Sequence, residues 1–239
     1  MNILGVIPAR FASTRFPGKP LLDLKGKTMI QRVYEGCLAS KSINKLVVAT
    51  DDEQIFNEVK RFGGEVMMTS FSHQSGTERC NEVAQQFPDY NVVINIQGDE
   101  PLVNHKQLDE LLQCFNDPNI QIATSAIKEN NLDFIDNPNR IKIVLNSKNE
   151  ALYFSRCGIP YSQQEETNYP YLRHIGLYAY QSEVLKHLCS LPPCLLEKKE
   201  SLEQLRWLYY GYTIKVVETD IESPNIDVPE DVEQVLKLL

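Results

Sequence analysis

The sequence lacks any hydrophobic run close to the roughly 18 residues that a membrane-spanning helix needs. Its start, MNILGVIPAR, also has no basic region followed by a cleavable apolar stretch, so we expect neither secretion nor a membrane partner. Its six cysteines form no C-x-x-C pair and no Cys/His cluster at zinc spacing. Scattered cysteines of this kind predict reduced thiols in a cytoplasmic protein.

Positive charge is also in deficit, because 24 Lys and Arg residues stand against 32 Asp and Glu residues, a net charge of −8. An acidic chain has no general cationic surface with which to displace phosphate counterions, so we expect no nucleic-acid partner. Any anionic ligand must instead meet a local basic patch. With 239 residues, 42% of them hydrophobic, and no low-complexity linker, the chain is predicted to form one globular domain over residues 1–239.

The first half of the chain alternates apolar, strand-like runs with helical patterns. The predicted strands are Asn2–Ile7, Lys45–Thr50, Glu65–Thr69 and Asn91–Ile96. The predicted helices are Met29–Leu38, Glu53–Phe62 and a third from about Glu78. Such alternation predicts an α/β fold with a mostly parallel central sheet flanked by helices.

Beyond residue 118 the pattern changes to strands with little helix between them, which predicts antiparallel additions. These strands are Ile120–Ile127, Ile141–Leu145, Ala151–Ser155 and His174–Tyr180. They are followed by a predicted helix from about Ser182, a helix over Glu197–Tyr209, a strand over Thr213–Val217 and a final helix that starts at Pro229–Asp231.

Ligands of open parallel sheets bind at the carboxyl ends of the strands, and the first strand is followed by three cations, Arg10, Arg15 and Lys19. Together with Ser13 and the backbone amides of the loop, they could hold a polyphosphate. A Walker loop and a dinucleotide fingerprint are both absent, which disfavours those two nucleotide-binding classes. The alternative is a solvated basic loop.

The fourth strand ends at Gln97-Gly98-Asp99, where Gly98 is expected to allow close approach of a ligand. Asp99 offers a carboxylate at the strand tip, and carboxylates combined with phosphate oxygens are the usual ligands of Mg²⁺. The alternative is that Asp99 only caps a turn.

Eight segments, in chain order, resemble segments of the sugar-acid nucleotidyltransferases. Taken together, they resemble the family of 3-deoxy-manno-octulosonate (KDO) cytidylyltransferases, also called CMP-KDO synthetases. They are Ile7–Leu21, Ala49–Asp52, Ser75–Arg79, Asn95–Pro101, Ala151–Arg156, His174–Tyr180, Leu202–Arg206 and Ile226–Asp231. The resemblance implies a GT-A-like, Rossmann-type nucleotidyltransferase domain with a small antiparallel dimerisation subregion at about residues 120–180. It further implies a homodimer that converts CTP and KDO into CMP-KDO and pyrophosphate with Mg²⁺, for lipopolysaccharide biosynthesis.

The resemblance also implies a role for each candidate site residue. The catalytic set is Arg10, Lys19, Asp99 and Asp227, of which Asp99 and Asp227 would hold the metal. The nucleotide-binding set is Pro8, Ala9, Arg10, Ser13, Arg15, Lys19, Ser75, Arg79 and Gln97. The sugar-acid-binding set is Gln97, Arg156, His174, Tyr178, Glu203 and Gln204. Because His174, Tyr178 and Tyr180 are separated by even numbers in a strand, they are expected to share one face.

Several alternatives stay open on the residues alone. Asp227 could merely cap the final helix, Arg79 could be a surface residue, and Glu203 and Gln204 could face solvent. The enzyme could also use an amino-substituted KDO or sialic acid, and two rival classes are a GT-A glycosyltransferase and a non-catalytic binding protein. His73, His105 and His187 are given no function.

Overall fold

The computed structural model of the chain describes residues 1–12, 16–163 and 170–239. The described chain forms two compact units. One consists of Met1–Leu112 together with Ser223–Leu239, and the other of Gln113–Glu222. None of the helices in these residues is long and apolar enough to cross a membrane.

The strands and helices of both units follow in chain order. The strands are β1 Ile3–Ala9, β2 Asp23–Leu24, β3 Lys27–Thr28, β4 Lys45–Thr50, β5 Val66–Met68, β6 Val92–Asn95, β7 Ile122–Glu129, β8 Lys142–Leu145, β9 Ala151–Ser155, β10 Tyr171–Gln181 and β11 Ile214–Glu218. The helices are α1 Met29–Leu38, α2 Glu53–Arg61, α3 Gly76–Gln86, α4 His105–Gln113, α5 Ser182–Ser190, α6 Leu195–Glu200, α7 Gln204–Tyr209 and α8 Asp231–Leu238. Short 3₁₀ helices lie at Lys19–Leu21, Cys114–Asn116 and Leu132–Phe134.

The first unit contains a sheet with the strand order β6-β1-β4-β5, in which every neighbouring pair is parallel. Strands β1, β4 and β6 are buried apolar runs, as expected for a sheet covered by helices, and the edge strand β5 is more exposed. Strand β4 has the bounds that the sequence predicts. The predicted α/β class with a mostly parallel sheet is therefore confirmed. Because the strands are parallel, their carboxyl ends lie along one edge.

Side-chain caps fix where the helices of this unit begin. Thr28 accepts a hydrogen bond from the Gln31 amide at the start of α1, and Asp52 accepts two at the start of α2. Ser75 accepts from the Glu78 amide, so α3 begins at Gly76, earlier than the sequence predicts. The polar residues that follow β4 and β5 are thus partly used to start helices.

The second unit is mostly antiparallel, as predicted for the chain beyond residue 118. Its strand order is β11-β7-β10-β8-β9, and only the pair β11 and β7 among its described pairs is parallel. The single-domain interpretation stays a prediction, as does the assignment of residues 120–180 to dimerisation.

Three secondary-structure predictions are corrected. The expected helix Glu197–Tyr209 is two helices, α6 and α7, because the backbone of Ser201 turns into the left-handed region, with φ 51°. Helix α4 was not predicted, although Leu108 and Leu111 carry its helical spacing. Strand β1 continues through Pro8, because its ladder with β6 ends at the pair of Val6 and Asn95, before the missing amide hydrogen matters.

Aromatic rings fill the core of the second unit. The ring centroid of His174 lies 5.1 Å from that of Phe154 and 5.3 Å from that of Tyr178. Tyr178 and Tyr180 stack at 6.0 Å, and both meet Trp207 edge-on. These contacts confirm that His174, Tyr178 and Tyr180 share one face of β10. Burial in this cluster lowers the pKa of His174 to about 3.

A neutral imidazole at His174, desolvated by the aromatic cluster, predicts a specific acid sensitivity. Between its usual pKa of 6.5 and about 3, only the unfolded chain binds the extra proton, so stability is present above pH 6.5 and is lost as the pH falls. We expect His174→Phe to reduce the stability difference between pH 8 and pH 5 by on the order of 1–2 kcal/mol.

Urea unfolding of parent and variant at the two pH values measures this difference. His187→Phe is the matched control, because His187 is exposed and should leave the pH dependence unchanged. An unaltered pH dependence in His174→Phe would contradict the assignment of a neutral ring.

Candidate active site

A cavity of about 260 Å³ opens at the carboxyl edge of the parallel sheet in the first unit. It is formed by the residues after β1 and β6, the N-terminal end of α3 and the segment before α8. Its lining residues are Pro8, Ala9, Arg10, Lys19, Pro20, His73, Gln74, Ser75, Gly76, Arg79, Gln97, Gly98, Asp99 and Asp227. This is the edge at which open parallel sheets bind their ligands.

Every described residue that the sequence assigned to the nucleotide or to the metal lines this cavity. They are Pro8, Ala9, Arg10, Lys19, Ser75, Arg79, Gln97, Asp99 and Asp227. Ser13 and Arg15, also assigned to the nucleotide, lie outside the described residues. The structure therefore brings together residues from both ends of the chain, separated by more than 200 positions.

The alternative of a solvated basic loop does not describe Lys19. Gly18, with φ 71°, turns the chain so that Lys19 starts a 3₁₀ helix and is only 9% exposed. Its Nζ lies 2.8 Å from Oδ2 of Asp99 and 3.8 Å from Oδ1 of Asp227. It also donates a 2.6 Å hydrogen bond to the carbonyl oxygen of Ile226. The ammonium thus lies between the two predicted metal-binding carboxylates.

The segment before α8 is held at this edge by its backbone. The Ile226 amide donates to the carbonyl oxygen of Asp99 at 2.9 Å. Oδ2 of Asp231 accepts from the amides of Asp227 and Val228, at 2.8 and 3.0 Å. The turn ahead of α8 is therefore closed by the Asp231 side chain, whereas a carboxylate oxygen of Asp227 lies toward Lys19.

Gly98 is required by the protein itself. A Cβ atom at Gly98 would come within 2.7 Å of the carbonyl oxygen of Pro8, a distance that side chains do not tolerate. The sequence interpretation expected this glycine to admit a ligand. The structure shows that it admits the backbone of Pro8 near the end of β1, and so keeps Asp99 beside the loop that carries Arg10.

Arg79 lines the cavity but is only 3% exposed, so it is not a surface residue. Its guanidinium lies 2.7 Å from Oδ2 of Asp51, which follows β4, and donates to Oγ1 of Thr69, which follows β5. A buried arginine paired in this way connects α3 to two strand ends. These contacts support a role for Arg79 in positioning the cavity wall.

His73 is a cavity residue that the sequence interpretation missed. Its imidazole hydrogen bonds with Glu82, and its Nδ1 lies 3.7 Å from a carboxylate oxygen of Glu78. Glu82 also accepts from the Ser70 amide, so one carboxylate fixes the loop that leads to Ser75. The sequence feature that could have indicated His73 is its position two residues before the Ser75-Gly76-Thr77 segment. Pro20, Gln74 and Gly76 were missed as well.

Four of the predicted sugar-acid residues lie in the second unit, on β10 and around the start of α7. His174 and Tyr178 are in ring contact, and the carboxylate of Glu203 is near enough to add to the burial that raises the pKa of Tyr178. Gln204 is only 6% exposed and Glu203 is half-buried, so the solvent-facing alternative does not describe them. Because His174 is neutral, it can offer this cluster a hydrogen bond but no positive charge.

The other two predicted sugar-acid residues have different surroundings. Gln97 lines the cavity of the first unit. Arg156, in the second unit, donates from Nε to the carbonyl oxygen of Glu200 at 2.6 Å and from Nη1 to that of Pro138 at 2.7 Å. Its guanidinium therefore binds one backbone carbonyl at the end of α6 and one in the loop before β8.

The described residues contain no group of three or more His, Cys, Asp or Glu side chains that could hold a metal ion. The pair of Asp99 and Asp227 is smaller than such a group. Two carboxylates are nevertheless what Mg²⁺ commonly takes from a protein, because it keeps waters and binds substrate phosphates for the rest. The donor chemistry of the pair therefore fits Mg²⁺.

Comparison with known proteins gives a consistent result. The family model for Cytidylyltransferase matches residues 4–219. A 3-deoxy-manno-octulosonate cytidylyltransferase of Parabacteroides distasonis is 50% identical, with 100% of this chain and 98% of the relative covered. The enzyme of the same name from Bacteroides thetaiotaomicron is 49% identical at the same coverage.

Among solved structures, CMP:2-keto-3-deoxy-manno-octonic acid synthetase complexed with CTP superposes with a TM-score of 0.95. The two sequences are 40% identical, and the match covers 100% of this chain and 98% of the other. The likeness therefore extends over both units and all eight resembling segments. The chain belongs to the cytidylyltransferase family and, within it, to the 3-deoxy-manno-octulosonate cytidylyltransferases.

Proposed function

We propose that this enzyme transfers CMP from CTP to KDO, releasing pyrophosphate and giving CMP-KDO for lipopolysaccharide biosynthesis. The observation that carries the proposal is the cavity at the carboxyl edge of β1 and β6, which gathers Arg10, Lys19, Asp99 and Asp227. The names of the relatives and the CTP complex of the similar structure support the substrates. We place the reaction in the cytoplasm, in keeping with the six cysteines, none of which forms a disulfide in the described residues.

The cavity suits a nucleotide because it combines an exposed arginine with backbone groups that lie beside it. Arg10 is exposed at the rim and can contact the triphosphate, whereas Pro8 and Ala9 present backbone beside it for the base. In this reaction the sugar-acid hydroxyl attacks the α-phosphorus and pyrophosphate leaves. The protein therefore mainly has to position two anions and offset the charge that develops on the leaving group.

We propose that Asp99 and Asp227 hold the Mg²⁺ that the reaction uses. Their fit is supported by the ammonium of Lys19, which already lies within 4 Å of both carboxylates. Bound Mg²⁺ would neutralise part of the triphosphate charge. The chain itself contributes the β6 end and the Ile226 segment, whose hydrogen bond keeps the two carboxylates at the same edge.

For the sugar acid, we propose His174, Tyr178, Glu203 and Gln204 as hydrogen-bonding partners of the hydroxyl groups. KDO is a carboxylated polyol, and neutral imidazole, phenol and amide groups match its many donors and acceptors. Burial lowers the pKa of His174 to about 3 and raises that of Tyr178, so both groups stay neutral near pH 7.

Pyrophosphate release from CTP, measured against a panel of sugar acids, tests the function. We expect rapid release with KDO, slower release with amino-substituted KDO or sialic acid, and none without a sugar acid. Preference for another sugar acid would correct the substrate. Transfer from a nucleotide sugar to an acceptor, without pyrophosphate release from CTP, would contradict the proposal and favour a glycosyltransferase.

A pair of variants separates metal binding from helix capping. Asp227→Asn should keep most of the thermal stability and CTP binding but lower turnover at ordinary Mg²⁺ by about 10²–10³. Asp231→Ala removes the acceptor of two amides, so it should cost about 1 kcal/mol of stability and leave the Mg²⁺ dependence unchanged.

Thermal melts and Mg²⁺ titrations of turnover measure both effects. An Asp227→Asn protein that melts far below the parent, or that keeps its activity at ordinary Mg²⁺, would return Asp227 to a structural role.

We also propose a homodimer that uses the stretch at about residues 120–180. Large apolar side chains of this stretch are exposed in the single chain: Leu132, Phe134, Leu152 and Tyr161, the last of them 88% exposed. Exposed apolar groups at this density are typical of an interface. Sedimentation at micromolar concentration should give twice the chain mass of 27.4 kDa. A fully active monomer would refute the dimer.

A further inference from the structure

The ammonium of Lys19 is surrounded by oxygen atoms of the protein, as a bound metal cation would be. It is therefore already engaged before any phosphate group arrives. It can donate three hydrogen bonds, and its neighbours are a carboxylate oxygen of Asp99, the carbonyl oxygen of Ile226 and, slightly further away, a carboxylate oxygen of Asp227. It is buried, so solvent screens these contacts only partly. Three oxygen atoms from two distant segments therefore surround one positive charge.

We propose that Lys19 is an internal counter-ion for Asp99 and Asp227, which keeps this carboxylate pair assembled and is displaced from it when a divalent cation binds. The inference rests on the proposed metal role of the two aspartates. It adds a function for Lys19 that a contact with the triphosphate alone does not include.

Electrostatics requires a cation between these groups. Two carboxylates that converge without one repel each other. The ammonium offsets this repulsion, and its hydrogen bond to Ile226 also holds the segment before α8 in place. When a divalent cation occupies the pair, however, the nearby ammonium becomes a repelling like charge.

The displaced ammonium has an anion to turn to, because Lys19 and Arg10 line the same cavity. With CTP present, Lys19 can leave the carboxylates for the triphosphate, and the divalent cation can take its place. Metal alone must bind against the ammonium, whereas metal with nucleotide need not. The device therefore favours joint binding of metal and nucleotide over binding of metal alone.

The test measures Mn²⁺ binding to the whole protein without nucleotide, by electron paramagnetic resonance of the free ion. We expect Lys19→Met to bind Mn²⁺ about tenfold more tightly than the parent, since it removes a positive charge that lies within 4 Å of both carboxylates. Its melting temperature should be lower without metal and should rise when Mn²⁺ is added. Lys45→Met, which removes an ion pair with Glu65 at the opposite end of β4, should leave Mn²⁺ affinity unchanged.

Lys19→Gln is the second variant, because its amide can still donate to Ile226 and so preserves the segment if the methionine variant unfolds. It should also bind Mn²⁺ more tightly than the parent. Equal or weaker Mn²⁺ binding by a folded, uncharged variant would overturn the counter-ion role.

A double variant, Lys19→Gln with Asp227→Asn, distinguishes failure of the counter-ion proposal from failure of the proposed metal site. Loss of the gained affinity in this double variant locates the ion at the carboxylate pair. Retention would show that the ion binds elsewhere and would overturn the inference. Neither readout uses turnover, so the pyrophosphate assay remains an independent test of the proposed function.

Discussion

The central constraint on this enzyme is the position of β1, which is hydrogen bonded to β4 on one side and to β6 on the other. Because both neighbours are parallel to it, the residues after these strands emerge at one edge without any further interaction. Gly98 then allows the chain after β6 to approach the Pro8 carbonyl closely. A larger residue at Gly98 would push Asp99 away from the loop that carries Arg10, so backbone packing precedes the chemistry of the site.

The return of the C-terminal segment to this edge has a hydrophobic cause. Ile226 and Val235 are fully buried against Leu24 and Met29. Burial of side chains of this size contributes roughly 1.5–3 kcal/mol each, more than a partly exposed ion pair provides. Apolar packing thus brings Asp227 to Asp99, and the ammonium between them adjusts the electrostatics of an arrangement already made.

Much of this could be predicted from the sequence, and the remainder has physical reasons. Strands such as Lys45–Thr50 can be predicted from the sequence because a buried strand needs continuous apolar residues. Asp99 was legible as a site residue because it follows such a run. The break at Ser201 was not, since a non-glycine residue with positive φ carries no compositional signal. The carboxylate contacts of Lys19 and the turn closed by Asp231 were hidden too, because each depends on which of several nearby polar groups tertiary packing brings together.

The charge balance of the cavity follows from the same contacts. Among the described lining residues, Lys19 and Arg79 each face carboxylates, whereas Arg10 is exposed. Two of the three Lys and Arg side chains among the described lining residues are therefore paired with carboxylates before any ligand arrives. Among the described residues, a triphosphate entering the cavity meets one exposed arginine and a carboxylate pair that would repel it. Favourable binding then requires that positive charge reach the carboxylates together with the nucleotide, and a nucleotide that carries its own divalent cation meets this requirement.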